Sequence, residues 1–301
     1  MKNINIIFTV ILLMAISQAC EKRTFDASGA FEAEETIISA EVSGKIMELK
    51  LEEGQELTQG QAIGYIDSTQ LALQKKQIAA QIRAILAKKP NIPVQLASIQ
   101  ERLQAAKKEQ NRIQNLIAED AATAKQLDDI NAEVLVLEKQ FSAQKSSLNI
   151  SSGGLDQEIL PLQAQQQQIE DNLKKSLLIN PIAGTVLVKY MEEYEMAVPG
   201  KPLYKIANLS TLILRVYITA DQLAEIRLGQ EVRVFTDNGK GEFKETQGTV
   251  SWISDKAEFT PKTIQTKAER ANMVYAIKVK VPNTGQYKIG MYGEINFSEN
   301  D

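Results

Sequence analysis

AEVSGKIMELKLEEGQELTQGQAIGYID, residues 40–67, and AGTVLVKYMEEYEMAVPGKPLYKIA, residues 183–207, are two versions of one small unit. At a constant offset of 140, Gly44 falls on Gly184, Glu52-Glu53 on Glu192-Glu193, Gly60 on Gly200 and Ile66 on Ile206, with Ile46 and Val186 equivalent. Each unit reads as short strands punctuated by Gly, and neither has enough apolar residues to close a core alone. The two are expected to pack as one β-sandwich, with the intervening chain leaving and returning at one point. Gly54 meets Tyr194 in this alignment, so the two turns need not share a conformation. The Glu pairs sit at equivalent turns and read as solvated turn charges rather than as catalytic carboxylates.

Between the units the composition changes. From Ser68 to Ile179 there is no Trp or Tyr, one Phe, and no Gly except Gly153-Gly154, with strong helix formers almost throughout. Apolar residues recur at alternating spacings of three and four: Leu96, Ile99, Leu103, Ala106, Ile113 and Ile117; Leu127, Ile130, Val134, Leu137, Phe141 and Leu148; Ile159, Leu162, Ile169 and Leu173. Leu71, Ile78, Ile82 and Ile85 continue the pattern less cleanly. These are narrow coiled-coil seams, and Gln110, Gln144 and Gln166 interrupt them at positions suited to fixing register or facing a neighbouring hairpin. Pro90-Asn91-Ile92-Pro93 breaks the ascending half and Ser151-Ser152-Gly153-Gly154 the descending half, about equally far from Ala121-Ala122. That symmetry predicts an antiparallel hairpin with its tip at Ala121-Ala122, a joint at the paired breaks, and arms on the order of 75 Å. Four short helices in a compact bundle are the alternative.

After the second unit, Leu212, Leu214, Val216 and Ile218 alternate with Ile213, Arg215, Tyr217 and Thr219 as a half-buried strand does. Strand-like runs follow at 229–234, 248–253, 275–281 and 290–297, separated by Asp-Asn-Gly and Pro-Asn-Thr-Gly turns. They predict a small β-barrel, one end plugged by a helical piece, Asp221 to Arg227. The expected fold class is therefore α+β and elongated. Its parts are a barrel of residues 28–39 and 208–301, a split sandwich of residues 40–67 and 179–207, and a hairpin of residues 68–178.

Composition narrows the function. The 301 residues carry a net charge of −4, no His and one Cys. Nothing suggests a nucleic-acid footprint. The usual general base and the commonest metal ligand are missing, and one Cys cannot form an internal disulfide or a thiolate cluster. An enzyme is not expected. Residues 1–19 have the layout of a signal peptide, with Lys2, an apolar run from Ile6 to Ile16 that is short for a membrane span, then small residues before Cys20. This resembles a bacterial lipoprotein signal, in which Cys20 becomes the lipidated first residue and residues 20–27 a linker. Ser17 stands where such signals usually carry a branched apolar residue, and ordinary cleavage after Ala19 is the alternative.

The split sandwich resembles a lipoyl or biotinyl carrier domain, but the turn that would bear the modified Lys is replaced by the hairpin. No cofactor is expected, and a swinging-arm carrier is disfavoured. Sandwich, hairpin and barrel together resemble the HlyD-like membrane fusion proteins, the periplasmic adaptor subunits of bacterial export pumps. Gly29-Ala30-Phe31-Glu32-Ala33 followed by Ile38 to Gly44 is similar to the family's entry into the first half-unit, and Gly248 to Val279 looks like the subgroup that works with ABC-type exporters. The resemblance implies a ring of copies, a hexamer in the family, linking an inner-membrane ABC-type transporter to a TolC-like outer-membrane channel. It also implies channel docking by Arg112, Leu116 and Thr123, which match the spacing of Arg, Leu and Ser or Thr at many family tips. Thr260, Lys262, Gln265 and Lys267 lie in a polar loop expected to touch the transporter or a neighbouring subunit. An RND or MFS pump is the alternative partner, and a structural coiled-coil lipoprotein the alternative class.

Overall fold

The computed structural model of the protein describes residues 25–239, 242–259 and 273–297. The leader with Cys20, and Thr260, Lys262, Gln265 and Lys267, lie outside the described residues.

The duplicated units form the sandwich expected of them. Strands β1 (Ala27–Glu32) and β2 (Glu35–Ser39) lead into the first unit, which contributes β3 (Gly44–Leu49), β4 (Glu56–Leu57) and β5 (Ala62–Ile66). The second contributes β6 (Leu177–Ile179), β7 (Gly184–Lys189), β8 (Met196–Ala197) and β9 (Pro202–Ala207). Each four-stranded sheet borrows from both units, in the orders β2-β9-β7-β4 and β6-β5-β3-β8. Ile46, Leu49, Ile63 and Ile66 of one sheet meet Val186, Leu203 and Ile206 of the other in a single core. Neither unit can bury these side chains without its partner, which is the physical reason for the exchange.

The first boundary shifts here. Residues 35–39, read from sequence with the barrel, form β2, which pairs with β9 at Thr36↔Ile206 and Ile38↔Tyr204. No Gly or Pro stands between β1 and β2 to mark the crossing. On the far side, β6 begins at Leu177, within the stretch read as hairpin.

Three helices fill the insertion: α1 (Thr69–Leu86), α2 (Ile92–Ala118) and α3 (Ala124–Lys175). The ion pairs Lys75–Glu170 at 3.0 Å, Lys89–Asp156 at 2.7 Å and Lys107–Glu138 at 2.6 Å hold one antiparallel register, folding the hairpin between residues 122 and 123. Seam residues Ile78, Leu96, Ala106, Ile130, Val134, Leu137, Leu148, Ile159 and Ile169 are buried. Of the polar interruptions, Gln110 donates across the seam to Asn131 Oδ1 at 2.7 Å. Gln166 bonds Glu170 on its own helix, and Gln144 is exposed.

Only one arm breaks. The chain leaves helix at Ala87 and restarts behind Asn91, whose Oδ1 accepts from Val94 N, with Pro93 in the first turn. Opposite it α3 runs unbroken for 52 residues through Ser151–Gly154 and Pro161, about 78 Å of helix. Two exposed Gly cost a helix about 1 kcal/mol each, too little to end one packed along a seam on both sides of them. Nothing lies within 4 Å of a Cβ placed on Gly153 or Gly154. Gly153→Ala and Gly154→Ala are therefore each expected to stabilise the hairpin by about 1 kcal/mol, read as a higher midpoint of the 222 nm helical signal. An unchanged midpoint would mean that these residues are not helical in solution.

The rest of the chain is β10 (Thr211–Ile218), α4 (Ala220–Leu223), β11 (Glu231–Asp237), β12 (Phe243–Ile253), β13 (Glu258–Phe259), β14 (Met273–Pro282) and β15 (Tyr292–Asn296). With β1 they form an antiparallel barrel in the order β10-β1-β15-β11-β12-β14, closed by β14 pairing back on β10. Leu212, Leu214, Val216 and Ile218 all point inward and are buried. The helical piece is shorter than Asp221 to Arg227, but Leu223 and Ile226 still pack on this core.

Glu294 points outward from β15, and its Oε2 is buried without a hydrogen-bond partner among the described residues. Burial, with Asp237 adding to it, pushes its carboxyl above the usual range. The fold thus prefers the protonated form, so this group's contribution is full at acidic pH and is lost as pH rises through its titration. Glu294→Gln is expected to remove that decline and raise the neutral-pH Tm by a few degrees at most, measured from pH 4 to 8. Parallel Tm curves for the two proteins would refute this.

Candidate functional site at the hairpin base and tip

At the base, the duplicated turns are tied to each other. Gly54 N donates to Val186 O and Tyr194 N to Ile46 O, both at 2.8 Å; Val186 N donates to Gln55 O and Ile46 N to Glu195 O, both at 2.9 Å. The turns therefore do share a conformation, with φ of 85° at Gly54 and 71° at Tyr194. A side chain in this left-handed region costs about 1–2 kcal/mol. Tyr194 nevertheless stands there, its ring 4.9 Å from Lys45 Nζ, a cation–π contact that offsets part of the cost.

The Glu pairs do more than carry turn charge. Glu53 Oε1 accepts from Lys189 N at 3.1 Å, and Glu193 Oε1 accepts from Leu49 N at 3.1 Å. Each half-unit thus satisfies a strand-end amide of the other. Glu52 and Glu192 are exposed, and Glu192 bonds Lys189 Nζ at 2.5 Å.

Asn180, completely buried, holds the second half-unit where the chain returns from the hairpin. Its Nδ2 donates to Thr58 O at 2.8 Å and Ile182 O at 2.5 Å, and its Oδ1 accepts from Tyr204 Oη at 2.8 Å. Burial pushes the Tyr204 phenol up to about 12, so it remains a donor throughout the physiological range. Sequence reading passed over Asn180, which stands beside Pro181 and looks like a turn residue.

At the tip, α2 ends at Ala118 and α3 starts at Ala124. Asp120 takes φ 55°, and Ala121 N donates to Leu116 O at 2.7 Å, closing the reversal. Arg112 and Leu116 lie one turn apart on α2. Arg112 is exposed and forms a two-pronged pair with Glu109, Nε to Oε2 at 2.8 Å and Nη2 to Oε1. This hydrogen bonding holds the Glu109 carboxyl below its usual range and the guanidinium above its own. Leu116 is half-buried. Thr123 caps α3: its Oγ1 accepts from Gln126 N at 3.3 Å, while Gln126 Oε1 accepts from Thr123 N at 2.8 Å. The Thr123 hydroxyl also donates to Gln126 Oε1 at 3.0 Å, so the cap already uses the group expected to face a channel.

Two halves of a duplicated sandwich, parted by a long helical hairpin and followed by an antiparallel barrel, define a barrel-sandwich hybrid. Residues 34–286 match the family model described as RND MFP, barrel-sandwich hybrid domain. The chain belongs to that family of membrane fusion proteins. It is 25% identical over 265 residues to a UPF0194 membrane protein of Yersinia pseudotuberculosis serotype O:3, covering 81% of this chain and 80% of that one. Among solved structures, MacA from Actinobacillus actinomycetemcomitans is similar at TM-score 0.55 and 20% identity, over 89% of this chain and 76% of that one. A MacA-MexA chimera containing the Pseudomonas aeruginosa MexA α-hairpin domain is similar at TM-score 0.50 and 22% identity, over 90% and 80%. Among the described residues, no helix is long and apolar enough to cross a membrane.

Proposed function

We propose that this chain is the periplasmic adaptor of a tripartite efflux or secretion system, a ring-shaped homo-oligomer, hexameric as in its family, anchored by a lipid on Cys20. Hairpins projecting from the ring meet a TolC-like outer-membrane channel through Arg112, Leu116 and Thr123. The loop with Thr260, Lys262, Gln265 and Lys267 contacts the inner-membrane transporter or a neighbouring subunit. The observation that carries this reading is the hairpin itself: α3 is 52 residues long and grows from a base whose two halves are cross-tied. An ABC-type transporter is the partner favoured by the stretch from Gly248 to Val279, whereas the description of the matching family favours an RND pump. Photo-crosslinking from Lys262 in intact cells tests the pair. An adduct with an ATP-binding transporter supports the first, and one with an RND protein overturns it.

Docking and capping by Thr123 are separable. Thr123→Ser keeps hydroxyl and cap, Thr123→Asn keeps a capping oxygen without the hydroxyl, and Thr123→Ala removes both, the cap at about 1 kcal/mol. Docking through the hydroxyl is expected to make Asn and Ala both weaken channel crosslinks from the tip while Ser matches wild type; Asn matching wild type would leave Thr123 with the cap alone. Leu116→Gln and Arg112→Gln, at positions outside the cap and without a new like charge beside Glu109, are expected to abolish the crosslinks with nearly unchanged helicity. Retention of the adduct in both would overturn docking through these residues.

A further inference from the structure

β14 overruns the rim of the barrel. The wall ends where Ile218 of β10 meets Tyr275, but β14 begins at Met273, and β13 pairs with the overhang at Glu258↔Val274 and Phe259↔Met273. Two residue pairs do not make a ribbon that holds its own direction. Phe259 and Met273 are 83% and 57% exposed, so burial of these side chains does not fix it either.

An ion pair ties the ribbon to the wall. Arg215 of β10 and Glu258 of β13 stand on opposite sides of β14, level with Lys278 and Val274. Arg215 Nη2 donates to Glu258 Oε2 at 3.2 Å and to Oε1 at 3.5 Å, which takes the pair diagonally across the strand. Ala276, between Lys278 and Val274 on that face, pairs with Tyr217 and is completely buried; a longer side chain there would stand in the way. The guanidinium carbon also lies 5.7 Å from the centre of the Tyr217 ring, so a carboxylate and an aromatic face both restrain the guanidinium. As a source of stability the pair is poor. The Arg215 and Glu258 side chains are 28% and 40% exposed, where screening leaves an ion pair little net effect. Arg215 Nε is buried without a hydrogen-bond partner among the described residues, which counts against the fold. What the pair supplies is direction, through a rigid fork rooted in the wall and closed on the ribbon.

We propose that Arg215 is a positioning residue: by holding Glu258 it aims the ribbon, and the loop that the ribbon carries, at the inner-membrane transporter. The inference rests on the loop reading above and adds the residue, outside the loop, that orients the contact.

Photo-crosslinking from Lys262 in intact cells and hydrogen exchange of the full chain in mild detergent test this together. Arg215→Gln and Glu258→Gln are each expected to lower the yield of the transporter adduct about tenfold, the cost of ordering on contact a ribbon no longer held in advance. The double variant is expected to lose no more than either single one, because both remove the same pair. Amides at 256–259 and 273–275 are expected to exchange faster in all three, while the thermal transition reported by Trp252 on the barrel wall stays where wild type has it. A wild-type adduct yield from a loosened ribbon overturns the inference. So does a lost adduct with ribbon exchange unchanged, which would make Arg215 a contact and not a support. A lost adduct that follows a lowered Trp252 transition overturns it as well, leaving Arg215 a residue of barrel stability. If wild type itself gives no transporter adduct from Lys262, the loop reading fails and this inference with it.

Discussion

Asn180→Ala is expected to destabilise the sandwich by about 3–5 kcal/mol, although the change removes only one small side chain. The duplicate position is Ala40, so the backbone there accepts Ala. What is lost is a set of hydrogen bonds: Thr58 O, Ile182 O and Tyr204 Oη all lose their partner at once. Water does not reach this completely buried site, and each orphaned group costs about 1–3 kcal/mol. Tyr204→Phe deletes one of the three bonds and is expected to cost about 1–2 kcal/mol, with the double variant costing less than the sum. The readout must separate the domains, because Trp252 lies on β12 of the barrel and its fluorescence reports the barrel. Hydrogen exchange in peptides spanning 44–66 and 184–207 is expected to accelerate well before the Trp252 transition moves. Unchanged exchange in both stretches would remove Asn180 from its role at the base.

How far the sequence reveals this molecule follows from which features repeat. The sandwich was legible because its unit is written twice, and the hairpin because its seams alternate three and four: Leu96, Ile130 and Ile159 are buried where the pattern puts them. The Ser151–Gly154 break was misread because Gly and Ser weaken a helix without ending it, and the outcome depends on packing along the seam on either side. Glu53 and Glu193 looked like solvated charges because their acceptor role depends on amides 136 and 144 residues away, a distance no local pattern records. At the tip, Thr123 with Gln126 three residues on is a capping box readable from spacing alone.

Gly64→Ala carries the second large effect. A Cβ at position 64 would lie 2.0 Å from Glu48 O and 2.7 Å from the Glu48 carbonyl carbon, far inside any contact a backbone can yield to without moving. Gly64 pairs with Leu49 on one side and Leu178 on the other, so β3 and β5 have to separate before the methyl fits. The counterpart in the other half is Tyr204, completely buried. The two copies thus fill matching places with the largest and the smallest of their options, and this asymmetry lets β5 pass close to β3 before the chain enters α1 at Thr69. Parting the strands exposes Ile46, Ile63 and Ile66 at about 1.5–3 kcal/mol for each side chain that reaches water. The expected loss is therefore more than about 3 kcal/mol, read as lost protection in β3 and β5. Gly54→Ala is the control: nothing lies within 4 Å of its Cβ, and only the left-handed φ of 85° is penalised, by about 1–2 kcal/mol. Equal costs for the two would show that backbone conformation, and not the approach of β3 to β5, makes Gly necessary at the root of the hairpin. A cost at Gly64 larger than its own φ of 158° accounts for, about 1–3 kcal/mol, would make that close approach the mechanical link between the sandwich and the arm it carries.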